Sequence, residues 1–194
     1  SAFLQSSSLD IEVRLPARLA VEIDDRSGDA RVVGVTELRL RDRSGDVVIE
    51  RILANVRVER DSSGHLSVTD VRGDVTVVRD TSGDIEVHGV RGSVLIESDR
   101  TGDVAVHEVT GSVRIENDAS GGLLVTEVDG DVTIVEDRTG HIEVREVGGS
   151  VMVIDDGSGD ITVDAVAGDL TVEEAGSGAV RYSDVAGTVR LPRD

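Results

Sequence analysis

Apolar and polar residues alternate along most of this chain in short bursts, and each burst ends at a glycine. From Ser82 onward, Ile85 and Val87 alternate with Asp84, Glu86 and His88, which is the period of a β-strand. Val90 precedes a turn at Arg91-Gly92, Val94 and Ile96 alternate as a second strand, and Ser98-Asp99-Arg100 leads into Thr101-Gly102. The unit then starts again. The pair Ser/Thr-Gly recurs at Ser44, Ser63, Ser82, Thr101, Ser120, Thr139, Ser158 and Ser177, every interval being 19 residues. An earlier copy at Ser27 lies 17 residues before the next. A second glycine column, Gly73, Gly92, Gly111, Gly130, Gly149, Gly168 and Gly187, keeps the same spacing.

A fixed period of this length is the signature of a solenoid, in which each repeat buries its apolar face only against its neighbours. The pattern predicts an all-β, single-domain parallel β-solenoid (β-helix) of about nine coils, each with two short strands, two turns and five inward aliphatics. Stacked at about 4.8 Å per coil, it would form a rod on the order of 45 Å long. No segment sustains the i, i+3, i+4 apolar spacing of a helix. Two regions are expected: residues 1–26 as an N-terminal tail with capping strands, including Ile11/Val13/Leu15 and Leu19/Val21/Ile23, and residues 27–194 as the repeat domain. Gly73-Asp74-Val75-Thr76 returns as Gly130-Asp131-Val132-Thr133, which suggests growth by duplication of a three-coil block.

Composition narrows the choice. Phe3 and Tyr182 are the only aromatics and there is no Trp, so the core is left to Val, Ile and Leu. The formal net charge of −19 opposes nucleic-acid binding, which rests on cationic neutralisation of phosphates, and it opposes anionic membrane surfaces as well. No apolar run of 18 residues is present, so direct membrane insertion is not expected. There is no cysteine, and every basic residue is Arg. Few amides and many arginine–carboxylate pairing options suit a thermostable surface, although a GC-rich genome gives the same Arg bias. The chain opens on Ser1, as a processed product would after removal of a signal peptide.

The run Val13-Arg14-Leu15-Pro16-Ala17, then Asp25-Arg26-Ser27-Gly28-Asp29, then the repeated SGDI-x-V and GDV-x-V phrases, resembles a widespread bacterial family of adhesin-like proteins built on a β-strand-repeat domain of unassigned function. Bactofilins, which polymerise end to end, are a looser architectural likeness. The resemblance implies a parallel β-solenoid in the cell envelope or outside the cell, and it brings no catalytic residues with it.

The strongest polar column is Asp25, Asp42, Asp61, Asp80, Asp99, Asp118, Asp137 and Asp156, each two residues before the Ser/Thr. One reading is an Asx-turn, each Asp accepting backbone N–H bonds. The other is a line of Ca²⁺ ions between coils, with Asp61, Asp80, Asp99, Asp118, Asp137 and Asp156 as candidate ligands. No other cofactor is expected. Asp29, Asp46, Asp84, Asp103 and Asp160, directly after the glycine, read as a solvated rim. His88 and His107 face outward on adjacent coils, but no third ligand is fixed by the pattern. The outward positions Thr76, Leu95, Arg114, Thr133, Met152, Thr171 and Arg190 are too mixed for a threonine ice-binding array.

No catalytic constellation is expected either, because no coil carries an insertion from which a groove could be built. The leading expectation is a structural, adhesin-like envelope or secreted module, self-associating through its ends into filaments. Phe3 and Leu4 at one end and Tyr182 and Leu191 at the other are the contact candidates. The rival is a binding or envelope-stress-sensing module that uses its acidic face for a cation, a glycan or a protein partner.

Overall fold

The computed structural model describes residues 19–192. Within them the chain forms nineteen strands, β1 to β19 in chain order, with no helix. Odd-numbered strands make one ten-stranded sheet and even-numbered strands a nine-stranded sheet facing it. Every pairing is parallel and joins a strand to its counterpart one coil away. This is the parallel β-solenoid of about nine turns that the repeat predicts.

One coil shows how the residues dictate the shape. Strand β6 (Leu66–Val71) buries Leu66, Val68 and Val71, and β7 (Val75–Val77) buries Val75 and Val77, all at 0% exposure. These are the five aliphatics of the repeat, each contributing about 1.5–3 kcal/mol by leaving water. Val68 and Val71 are three residues apart, and simple alternation would turn one of them outward. Asp70 resolves the conflict by taking a left-handed conformation, φ 57°, which resets the phase and points Val71 inward. Arg51, Glu108, Glu127, Glu146, Ala165 and Asp184 hold the same conformation in the same column, with Gly34 and Gly89 the glycines there. A side chain at such a φ costs about 1–2 kcal/mol.

The two glycine columns have a different cause. Gly102 has φ 135°, and a Cβ built on it would overlap the carbonyl oxygen of Gly83 in the preceding coil. In the second column a Cβ on Gly130 would come 2.6 Å from the oxygen of Gly111. In both, the position of a side chain is occupied by the next backbone along the axis.

The early irregularity is also explained. β1 (Ala20–Asp24) pairs with β3 (Glu37–Arg41), Ala20 opposite Glu37, so Val21 and Ile23 join the same sheet as the later coils. The turn from Val35 to Leu38 is one residue shorter than the turn from Ile52 to Val56, and the register between β3 and β5 (Val56–Arg60) slips at Leu40/Arg41. These two adjustments account for the 17-residue spacing. The expected strand at Ile11–Leu15 lies outside the described residues.

Two stability measurements follow. Gly102→Ala should destabilise the chain by about 3 kcal/mol or more, as read from urea unfolding, because both space and φ forbid the Cβ. Glu127→Gly should act in the opposite direction, by about 0.5–1 kcal/mol, since relief of the left-handed strain exceeds the entropy of a freer unfolded chain.

Candidate functional site

Seven successive coils carry a sixth inward residue, the aspartate of the Asp-x-Ser/Thr-Gly phrase, and the column ends where Ala175 takes its place. Asp42, Asp61, Asp80, Asp99, Asp118, Asp137 and Asp156 are all buried, at 0–1% exposure. They lie at the corner where an odd strand ends and the chain turns into the next even strand. Asp61 bridges to Asp80, Asp99 to Asp118 and Asp118 to Asp137 in parallel register, so the carboxyl groups stand above one another along the axis. The hydroxyl that follows two residues later also points along the axis. Thr101 Oγ1 donates to the carbonyl of Thr81 at 3.2 Å, and Ser120 Oγ donates to that of Arg100 at 3.1 Å. Ser or Thr is needed at that position for this bond.

The Asx-turn reading describes part of this geometry. The N–H of Thr81 donates to Asp80 Oδ1 at 2.7 Å, and that of Ser120 donates to Asp118 Oδ1 at 3.2 Å. Asp25, at the open N-terminal end of the column, accepts from Arg26 and Ser27. Yet both oxygens of Asp42, Asp61, Asp99, Asp137 and Asp156, and Oδ2 of Asp80 and Asp118, lack a hydrogen bond of good geometry, the backbone N–H groups of the following turn lying near them without full alignment. Burial therefore pushes these carboxyls up. Asp61 and Asp118 reach about 7, raised by burial first and by the aspartates one coil away second. Asp80 reaches about 7 for the same reasons, while Asp99 and Asp137 reach about 6. Asp42 and Asp156, nearer the ends of the column, are raised by burial as well. Nearby backbone N–H groups moderate the shift.

Calcium takes six to eight oxygens around one point. The stacked carboxyls form a line, and among the described residues no group of three or more His, Asp or Glu is arranged to hold a metal ion. His88 and His107 are register neighbours on β8 (Ile85–Val90) and β10 (Val104–Val109), but they engage separate partners. His88 Nε2 lies 3.3 Å from Glu108, and His107 Nδ1 lies 2.7 Å from the hydroxyl of Thr126. Glu86 faces His65 instead, at 3.6 Å.

The rim aspartates do more than meet solvent. Asp84 Oδ1 accepts the N–H of Asp103 at 3.0 Å, and Asp103 Oδ1 accepts that of Gly122 at 2.8 Å. Asp46 and Asp160 serve His65 and Ala179 in the same way. On the second glycine corner Asp74, Ser93, Ser112, Asp131, Ser150 and Asp169 form an equivalent ladder. Where an Asp, Asn or Ser stands at this corner position it signals the rung in the sequence, because each has a short side-chain acceptor that reaches the next coil, while His65, Gly122, His141 and Ala179 interrupt the first column.

Of the contact candidates at the ends, Phe3 and Leu4 lie outside the described residues. Tyr182 sits on β18 (Val180–Val185) at 49% exposure, and Leu191 follows β19 (Val189–Arg190) at 39%. Both strands are sheet edges, and their apolar residues Val180, Val185 and Val189 are only partly buried. A shallow acidic groove runs along the left-handed corner, lined by Asp70, Glu108, Glu127, Asp129 and Glu146 with Arg91.

In comparisons with known proteins, residues 1–190 match the family model described as Toastrack DUF4097. No curated protein and no solved structure matches the chain.

The rim ladder can be tested directly. Asp103→Ala should cost about 1 kcal/mol in urea unfolding by leaving the Gly122 N–H without its acceptor, whereas Asp129→Ala should be neutral within about 0.5 kcal/mol.

Proposed function

We propose that this chain, which belongs to the Toastrack family and is a β-solenoid-type domain, is a non-catalytic structural module of the cell envelope or of the exterior, adhesin-like in use, whose coils stack between molecules. The observation that carries this reading is the unbroken regularity of the coils. Successive strands keep one register from β4 (Val47–Ile52) to β18, and among the described residues no inserted loop rises from a corner to wall off a cleft. Catalysis needs side chains converging on a water-excluding site. Here the polar side chains line up in columns along the axis.

Self-assembly is the second part of the proposal. Among the described residues β18 and β19 end their sheets with unpaired backbone groups beside partly exposed Val180, Tyr182, Val185 and Leu191, and an open strand edge with apolar flanks is a template for another chain. A second copy presents strands of the same direction and spacing. The bacterial-adhesin and bactofilin likenesses belong to this reading, as does an envelope or surface partner.

A second reading is favoured by the acidic groove: its carboxylates would hold a cationic segment of a protein partner or a cation, as in a sensing module. Salt-sensitive binding without self-association would support it.

Sedimentation and negative-stain microscopy across a concentration series test the leading proposal. Wild-type chain should form end-to-end oligomers that grow with concentration. Tyr182→Glu with Leu191→Glu should cut association at least about tenfold while leaving the far-ultraviolet spectrum unchanged. A monodisperse monomer at high concentration would sink the idea.

A further inference from the structure

The buried aspartates pose a problem that neither reading of the surface solves. Seven carboxyl groups lie in one line inside the molecule, at 0–1% exposure, one strand spacing of about 4.8 Å apart. Most of their oxygens lack a hydrogen bond of good geometry, and the groups nearest them are backbone N–H groups of the following turn. Fully charged, such a line would be held in low dielectric with repulsion from both sides and no counter-ion. A poorly satisfied acceptor at the same place in seven successive coils points to a missing hydrogen, and a carboxylic acid supplies one.

We propose that the seven stacked aspartates form a proton-loaded ladder, in which neighbouring carboxyl groups share protons along the solenoid axis, and that charging the ladder loosens the corner through which every coil turns. A protonated carboxyl donates O–H to the carboxyl one coil away, so acid and carboxylate alternate or neighbouring acids chain together.

The charged groups around the ladder agree with this. Asp25 and Asp29 act on Asp42, Asp84 on Asp80 and Asp99, and Asp155 on Asp156, all of the same sign as the ladder and all raising it. Arg41, Arg43 and Arg60 gather with Asp24 and Glu59 at the hollow beside Asp42, at the N-terminal end. From Asp61 to Asp137, the neighbouring charges that most raise each carboxyl are aspartates, while Arg79, Arg100 and Arg138 adjoin Asp80, Asp99 and Asp137 in the chain.

The sign of the pH effect follows. The interior groups titrate at about 6 to 7 in the folded chain, against 3.8 as the ordinary value. Folding therefore retains protons that the unfolded chain gives up. The stabilisation is complete below about pH 4, declines as the pH rises, and is gone above about 7.

The test compares wild-type chain with Asp80→Asn/Asp99→Asn/Asp118→Asn, which keeps the shape and the N–H acceptor but cannot ionise. A control, Asp129→Asn/Glu173→Gln/Glu174→Gln, removes the same charge from exposed positions. Melting temperature is followed from pH 5 to pH 8.5, with and without calcium and a chelator. Wild type and control should both lose stability as the pH rises, whereas the ladder variant should lose less and melt at least about 5 °C above the control at pH 8. Infrared spectra of wild-type chain should show protonated carboxyl stretch at pH 6 that disappears by pH 9, and Asp99→Asn should reduce it. If the ladder variant keeps the wild-type slope, or if the stretch is absent at pH 6, the proposal fails. Loss of stability with chelator, restored by calcium, would make the column a cation site and would also overturn it. The infrared arm needs only wild-type chain, so a triple variant that does not fold leaves the proposal testable.

Discussion

Each coil of this protein hydrogen-bonds to the next through a parallel backbone ladder, so the chain passes the same place again 19 residues later and about 4.8 Å further along. Almost every other feature is a consequence of that one constraint. A residue's nearest neighbours are its own counterparts above and below it. Apolar residues therefore stack into a continuous core. Where a Cβ would point along the axis, it meets backbone, and only glycine fits. Where a side chain can reach the next backbone N–H, an Asp, Asn or Ser becomes a rung. Where a carboxyl is turned inward, it faces other carboxyls.

Much of this was legible in the sequence because stacking copies chemistry at a fixed interval. The period, the five aliphatics and the two glycine corners follow from Ser44 onward by inspection. The left-handed column was not legible, because Arg51, Asp70, Glu108 and Ala165 share a φ without sharing a residue type that advertises it. Glycine appears there at positions 34 and 89, too rarely to mark a pattern. The inward turn of Asp80 and its counterparts was hidden for a related reason. From Val77 to Asp80 the chain advances three residues, and an odd interval reads as outward on a strict two-residue period. The rim was read as solvated because one coil viewed alone shows an aspartate beside a turn. Its partner, the N–H of the following coil, becomes apparent only when two coils are superposed.

The same regularity bears on function. A solenoid that carried a cleft would need somewhere to break its columns, by lengthening a corner or replacing a rung with a bulky side chain. The described coils break register only near Leu40, where the 17-residue coil meets the 19-residue ones, and the ion pairs of Glu59 with Arg39 and Arg41 cluster there. The outward columns of the described strands are otherwise mixed in chemistry, as in Thr76, Leu95, Arg114, Thr133 and Met152, and lie flat along the two sheets. Flat sheet faces of this kind suit extended contacts, along the flank or end to end, better than the enclosure of a small molecule.

The direction of the backbone ladder also sets how this molecule would carry load. All inter-coil hydrogen bonds point along the axis, so tension applied at the two ends falls on one coil interface at a time and not on all of them together. The outermost coil would peel away, pass the force to the next, and release a fixed length of chain at each step. Nineteen residues drawn out from a single rung of the stack yield about 60 Å. A stack of near-identical rungs is thus a shock absorber with a nearly constant yield force, a mechanical property written into the repeat by the interval alone.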